Sequence, residues 1–432
     1  MRHVRERHGA EIDLVNLPLD DKMTYELLCR GDGVGIFQME SSGMRRLLTD
    51  LKPSTFEDLI AVLALYRPGP LDAKLEDGST MVEVFVRRKH GREPISYLHE
   101  SLEPILGETY GVIVYQEQVM RLLQVVAGFS AEESEVVRYA IAKKKSAELV
   151  KWKKRFDEGC ESSGLTKKEA EALWELLRPF AGYSFNRAHA CGYALIAYQT
   201  AWLKAHHPVE YMAALLTSVK NNQDRMPGYL AECRAMGIKV LPPNVNSSDL
   251  DFTARGGEIL FGLSAIRNVG EQVAERIIQA RRSAGPFNGL RNFLKRVDSS
   301  VLNKKVIESL TKAGALDSLN VEREALLSLN GEGLVISEPA LRLVEGVVNE
   351  KRSEDAGQFS LFAGSKPSGE AHNHENDPLG LIAIEIPRSQ VLAAEKEMLG
   401  FYVSAHPLEG VAVSIRYQTD LEIPELAEGP DG

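Results

Sequence analysis

Residues 180–208 read FAGYSFNRAHACGYALIAYQTAWLKAHHP. The stretch opens on a Gly182-Tyr183 turn, passes a polar cluster at Asn186, Arg187 and His189, and becomes a long apolar-striped run. Ala194, Leu195, Ala197, Tyr198, Ala201, Trp202 and Ala205 recur at three- and four-residue spacing, which is helical. Pro208 stops the pattern, as a proline beyond a helix end should. Polar groups gathered before a helix start can meet an anion, because the backbone N–H groups there lack partners. By periodicity alone, an ordinary capped core helix is the preferred reading.

The whole chain, at 432 residues, suffices for two to four domains with a sizeable core. Hydrophobic content of 44% and charged content of 26% are those of an ordinary globular protein. A net charge of -10 argues against a uniformly basic nucleic-acid binder, though not against local basic patches. Cys29, Cys160, Cys191 and Cys233 are widely spaced without a CxxC pair, so they read as reduced thiols. No apolar run reaches membrane-spanning length and the start has no signal-peptide core, so the expected compartment is the cytoplasm, with no membrane partner.

Upstream, Asp20 and Asp21 read as the N-cap of a short helix ending near Leu28; capping explains them better than metal binding does. Val34 to Gln38 reads as a short strand, with a helix from about Ser41. The glycines at 31, 33 and 35 form no phosphate loop. Ser54 or Thr55 caps a helix whose inner face is Phe56, Leu59, Ile60, Leu63 and Ala64. It ends before Arg67-Pro68-Gly69-Pro70, which leaves Arg67 as a phosphate ligand or as a cation at a helix C-terminus. A second basic patch follows at 87–92.

Val112 to Tyr115 is a β-branched burst before a helix, and one further helix holds SEVVRYAIAKKKSAELVKWKKRF. Arg138, Lys143, Lys144, Lys145, Lys151, Lys153, Lys154 and Arg155 face a single acid, Glu148, between Arg138 and Arg155. Such a run is either a solvated face or, interleaved with Tyr139, Trp152 and Phe156, a phosphate-tracking surface. GGEILFGL reads as a hairpin leading into NVGEQVAERIIQARR, where a Val269-Gly270 turn precedes a helix. That pattern resembles a helix–hairpin–helix element, whose turn offers backbone N–H groups to a DNA phosphate. LNKKVIESLTKAGALDSL resembles the second half of a tandem pair. Residues 351–378 are polar and Gly/Ser/Pro-containing, the signature of a flexible linker. Within it Gln358-Phe359-Ser360-Leu361-Phe362 has the anchors of a short peptide ligand.

Seven motifs in this order carry a resemblance: GIFQMESSGMRRLL, LALYRPGPL, RRKHGREPI, YGVIVYQEQVM, RYAIAKKK, FAGYSFNRAHACGYALIAYQTAWLKAHHPVEYMAAL and QFSLF. Together they resemble the alpha subunits of bacterial replicative DNA polymerase III, from the first residues to about Leu408. The resemblance implies a mainly α fold with short β elements: a helical polymerase fingers domain, a tandem helix–hairpin–helix module and a flexible linker. It places the palm tail and start of the fingers at 1–70, the fingers at 71–245 and the tandem module at 246–325. A helix and a linker with the clamp-binding peptide 358–362 follow to 378, and the start of a C-terminal region occupies 379–432.

The implied activity is DNA-templated DNA synthesis, with template-primer DNA, deoxynucleoside triphosphates, the sliding clamp and other replicase subunits as partners. By the same resemblance Arg138, Lys143, Asn186 and His189 bind nucleotide. Arg67, Lys144, Lys145, Asn268, Val269 and Gly270 bind DNA, and Gln358, Phe359, Ser360, Leu361 and Phe362 bind the clamp. The chemistry needs Mg2+ on carboxylates. The family's PDxDxD-like and KFDFLG-like strings are both missing here, so no catalytic or metal residue is expected in this chain and it is expected to be inactive alone. Tyr139 and Ala142 stand where relatives carry arginine and glycine. The alternative reading is a non-enzymatic DNA- and clamp-binding accessory protein.

Overall fold

The computed structural model describes residues 1–67, 70–71, 78–142, 146–222, 224–331, 333–355, 381–405 and 407, with backbone alone at 142, 146–148, 178–183 and 354–355. Two compact units emerge: Met1 with residues 10–208, and residues 2–9 with 209–432. The described residues are mainly helical with five short strands, as expected.

In the first unit the helix Arg187–His206 is central. Asn186 caps it, its Oδ1 accepting from the His189 N–H at 2.8 Å. Its buried face is mostly small: Ala190, Ala194, Ala197, Tyr198 and Ala201. Small side chains let the helices Lys22–Cys29 and Phe56–Leu65 pack closely on it. Tyr198, fully buried, donates to the Pro18 carbonyl at 2.6 Å and accepts from the Asp21 N–H at 3.1 Å. Lys204 is only 1% exposed, and its ammonium donates to the Asp32 and Val34 carbonyls, each at 2.8 Å. Pro208 ends this helix and also begins the next, Pro208–Ser218, which suits a residue with no N–H to lose. His207 between them is non-helical at φ -134°, ψ 56°.

Helix Phe56–Leu65 starts in a capping box of Thr55 and Asp58. Ala61, Val62 and Leu65 are buried along with Leu59, Ile60 and Ala64, so the helix is covered over more of its circumference than one stripe would give. Gln116–Ala127, Ala131–Ala142, Ser146–Ser162 and Lys167–Tyr183 form a further cluster, and Ser42–Leu51, Met81–Lys89 and Glu103–Leu106 also belong to this unit.

Four local expectations are corrected. Residues 34–38 form turns, not a strand, because Gly35 (φ 79°) and Gln38 (φ 61°) adopt left-handed backbone that an extended chain cannot hold. Val112 to Tyr115 makes only a single parallel bridge, Tyr115 to Phe185. The Gly182-Tyr183 turn is helical, the final residues of Lys167–Tyr183. The single basic helix is two, Ala131–Ala142 and Ser146–Ser162, with 143–145 outside the described residues.

The second unit holds a three-stranded sheet. A hairpin joins β2 (Thr253–Arg255) to β3 (Glu258–Leu260) through Gly256 and Gly257, both at positive φ, so its first strand lies upstream of the expected GGEILFGL. β1 (Val240–Leu241) pairs parallel to β3, inside a segment that reads only as extended and proline-bound. Helices Glu271–Ala284, Leu290–Arg296 and Lys304–Lys312 follow. A second hairpin, β4 (Leu327–Asn330) with β5 (Gly333–Ile336), precedes Glu338–Asp355.

The last described helix, Arg388–Leu399, buries Leu392, Glu395, Met398 and Leu399. The wholly buried Glu395 carboxylate accepts from the Val403 N–H (2.8 Å), the Ser404 N–H (2.7 Å) and the Ser404 hydroxyl (2.6 Å). Arg323 adds charge at 3.6 Å while holding Asp317.

Candidate functional site

The bridge between Tyr115 and Phe185 sets two helix mouths side by side. Phe185 N–H donates to Val114 (3.0 Å) and its carbonyl accepts from Gln116 (2.9 Å). Helices Gln116–Ala127 and Arg187–His206 start directly beyond these residues. Glu117, in the first turn of the former, reaches the mouth of the latter. Its carboxylate accepts from Asn186 Nδ2 at 3.0 Å and from the Arg187 N–H at 3.0 and 3.2 Å. A carboxylate suits that place, since unpaired N–H groups and the helix dipole both favour negative charge. The Arg187 guanidinium donates to Glu108 at 3.0 Å and lies 5.6 Å from the Tyr115 ring.

A row of rings runs beside this mouth. His189 lies 5.5 Å from Phe185 and 4.3 Å from Tyr193, and Tyr193 lies 5.3 Å from Phe37. Arg67 stacks over Phe185 at 4.7 Å, and its Nε donates to the Ala64 carbonyl at 2.8 Å. The Ala64 bond holds the Arg67 guanidinium at the C-terminal end of helix Phe56–Leu65. Burial pulls its pKa below the ordinary arginine value.

Arg138 grips Glu135 with two bonds, Nε at 2.9 Å and Nη2 at 2.5 Å. The hydrogen bond to Glu135 raises the pKa of Arg138, and the charge of Glu117 raises it further. Tyr139 is 49% exposed. Lys143, Lys144 and Lys145 lie outside the described residues. Much of the remaining basic run is structural. Arg155 caps helix Gln116–Ala127 through the Ala127 and Gly128 carbonyls, both at 3.2 Å, and Lys153 bridges Asp157 and Glu171. The patch at 87–92 is tied down too: Arg87 and Arg88 share Glu93, and Lys89 holds Asp58.

In the second unit, Asn268 takes φ 65° and donates from Nδ2 to Ser309 Oγ at 3.0 Å. Val269 is buried, and its N–H donates to the Ile266 carbonyl at 3.0 Å. Gly270 starts helix Glu271–Ala284 with no side-chain cap. Helix Lys304–Lys312 differs, since Asn303 caps it through the Val306 N–H. Residues 358–362 lie outside the described residues.

The paired acids at 20 and 21 do not fit a magnesium ion. Asp21 Oδ2 caps its helix, accepting from Thr24 N–H (2.8 Å), Thr24 hydroxyl (2.7 Å) and His206 Nε2 (2.9 Å). Burial pushes its pKa up, but the bonds from Thr24 and His206 outweigh burial and leave it lowered. Asp20 is exposed and is not part of this cap. Glu108, Glu117 and Glu135 are site residues that sequence reading missed; the one local signal was Glu117 in the first turn of a helix.

The architecture is that of a helical polymerase fingers region followed by a helix–hairpin–helix region. Residues 1–164 match the bacterial DNA polymerase III alpha subunit finger domain, and residues 237–326 match a helix–hairpin–helix motif. Over 99% of its length the chain is 45% identical to "DNA polymerase III subunit alpha" of Saccharopolyspora erythraea, covering 35% of that protein. Over 94% of its length it is 44% identical to the Thermus aquaticus and 40% identical to the Escherichia coli proteins of that name, covering 31% and 34% of them. The chain belongs to the bacterial DNA polymerase III alpha subunit family. It spans about a third of the length of these curated relatives, at 35%, 31% and 34%. Among the described residues, no helix is long and apolar enough to cross a membrane.

Proposed function

We propose that this chain supplies the fingers and a DNA-gripping module for DNA-templated DNA synthesis during replication. What carries the reading is the helix mouth at Asn186, where the Asn186 amide and the Arg187 N–H present donors beside the ring row of His189. The guanidinium fork of Arg138 and the N–H donors of the helix mouth, once released by Glu117, suit the phosphates of an incoming deoxynucleoside triphosphate. Lys143 would add charge to the same ligand, and Arg67, Lys144 and Lys145 would line the path of the template-primer. The turn Asn268-Val269-Gly270 would present one DNA phosphate to the backbone N–H groups at the start of helix Glu271–Ala284, which has no side-chain cap, without reading sequence.

Gln358, Phe359, Ser360, Leu361 and Phe362 would dock in the sliding clamp, with other replicase subunits completing the assembly. Mg2+ chemistry would rest on carboxylates of the complete polymerase, since neither palm string occurs in these 432 residues. The purified chain alone is therefore expected to give no primer extension with magnesium.

The deciding experiment is calorimetric titration of the full chain with dATP and magnesium. Arg138→Ala is expected to weaken binding roughly tenfold or more, the scale of a lost charge-assisted hydrogen bond. Equal binding by the variant overturns the nucleotide reading. For the clamp peptide, alanine at Phe359, Leu361 and Phe362 is expected to abolish clamp pull-down, and unchanged capture overturns that assignment.

A further inference from the structure

At the proposed nucleotide face, carboxylates of the chain itself hold the groups that a phosphate would use. Arg138 is held by Glu135 through a two-bond fork, the geometry in which a guanidinium receives phosphate. The Asn186 amide and the Arg187 N–H are held by Glu117, and the Arg187 guanidinium by Glu108. These are partners of the kind a phosphate oxygen replaces.

We propose that Glu117 and Glu135 are internal competitors for phosphate, setting how much negative charge a ligand must bring before this face admits it. The inference rests on the nucleotide reading above and deepens it. Both acids are exposed, Glu135 by 51% of its side chain, so either can swing into water without stranding a charge. Exposed ion pairs are weak, which makes exchange of partners easy. A carboxylate presents one negative charge, a phosphomonoester about 1.5 to 2, and a triphosphate more. Displacing both acids is therefore favourable for a triphosphate and marginal for a monophosphate. On this account the acids hardly change the fold but lower the affinity of this face for any phosphate ligand, so that at a given concentration a triphosphate can occupy it where a monophosphate does not.

The plain alternative is that Glu135 is an ordinary i,i+3 partner and Glu117 an ordinary second cap. Glutamine separates the two, because it keeps an accepting oxygen at each place while removing the charge. Glu132 is an exposed acid on the same helix as Glu135 and outside these contacts, so Glu132→Gln controls for bulk charge.

The test titrates the full chain and the variants E117Q, E135Q and E132Q with dATP and, separately, dAMP, with magnesium present. E117Q and E135Q are each expected to bind both dATP and dAMP about threefold tighter than the wild type, because the partner to be displaced no longer carries a charge. E132Q is expected to match the wild type. The proposal falls if E117Q and E135Q bind dATP and dAMP no tighter than the wild type, or if E132Q gains as much as they do. In those cases dATP binding by the wild type leaves the nucleotide reading standing. If no form of the chain binds dATP, both fall together.

Discussion

Gly159 sits against the end of a neighbouring helix so closely that a Cβ there would lie 2.0 Å from the Ala127 carbonyl oxygen. No side chain fits that gap, and the obstructing atom is backbone, so relief requires two helices to separate. The same Ala127 carbonyl receives Arg155, one turn before Gly159. Close approach and capping thus fasten helix Ser146–Ser162 to helix Gln116–Ala127.

Gly159→Ala is therefore expected to cost about 1–3 kcal/mol, the range for an overpacked core. Gly192, in helix Arg187–His206, has nothing within 4 Å of its Cβ position. There Gly192→Ala is expected to stabilise by about 0.5–1 kcal/mol through helix propensity. Opposite shifts of the thermal midpoint check the pair, and a tolerated Gly159→Ala would refute the tight contact.

The cap at Asn186 makes a second prediction. Asn186→Ala should lose about 1 kcal/mol with the cap. Asn186→Asp keeps a capping oxygen but sets a carboxylate against Glu117, whose oxygen now accepts from the Asn186 amide. Its stability is expected to fall at neutral pH and to recover when Glu117→Gln is added. Urea midpoints for the single and double variants give the coupling directly.

Asp21 gives a pH dependence. Burial raises its pKa, but its bonds to Thr24 and His206 leave it below the ordinary aspartate value. A group depressed in this way stabilises the fold above its unfolded value, about 3.9, and loses that effect as pH falls through the lower folded value. The stability gap between wild type and Asp21→Asn should thus be full at neutral pH and shrink below about pH 4. A gap constant down to pH 2 would show that the carboxylate charge is immaterial.

Gly314 protects the buried Glu395 network. It takes φ 77°, and a Cβ would lie 2.0 Å from Arg323 Nη2. Arg323 cannot simply swing aside without leaving Asp317 and Glu395. Gly314→Ala is expected to destabilise by about 1–3 kcal/mol. Hydrogen exchange should speed up at Val403 and Ser404, whose amides Glu395 holds; protection equal to the wild type would count against this coupling.

Local rules carried the helical skeleton well. Asn186, Thr55 and Asp21 cap where short polar residues precede periodic apolar runs, and those runs became helices. They failed where backbone sign or long-range pairing decides. The apolar run at 34–38 has strand composition, but Gly35 and Gln38 turn left-handed under it. The two-residue β1 exists only because β3 lies alongside. At the candidate site, the cations Arg138 and Arg187 were legible as charges, but their partners were not. Nothing in the local pattern of residues 108–117 says that Glu108 and Glu117 meet a helix start at 186–187, about seventy residues away (|i−j| of 69 to 79). Charge counting likewise could not see that Arg155 and Lys153 serve neighbouring helices.

Lys204 has a further use. Its amine is shielded from solvent while the turn at Asp32 and Val34 is closed, so an acylating reagent can reach it only when that turn opens. The rate at which this one amine is labelled, read by mass spectrometry beside a surface lysine such as Lys22, would serve as a clock for the breathing of the first unit.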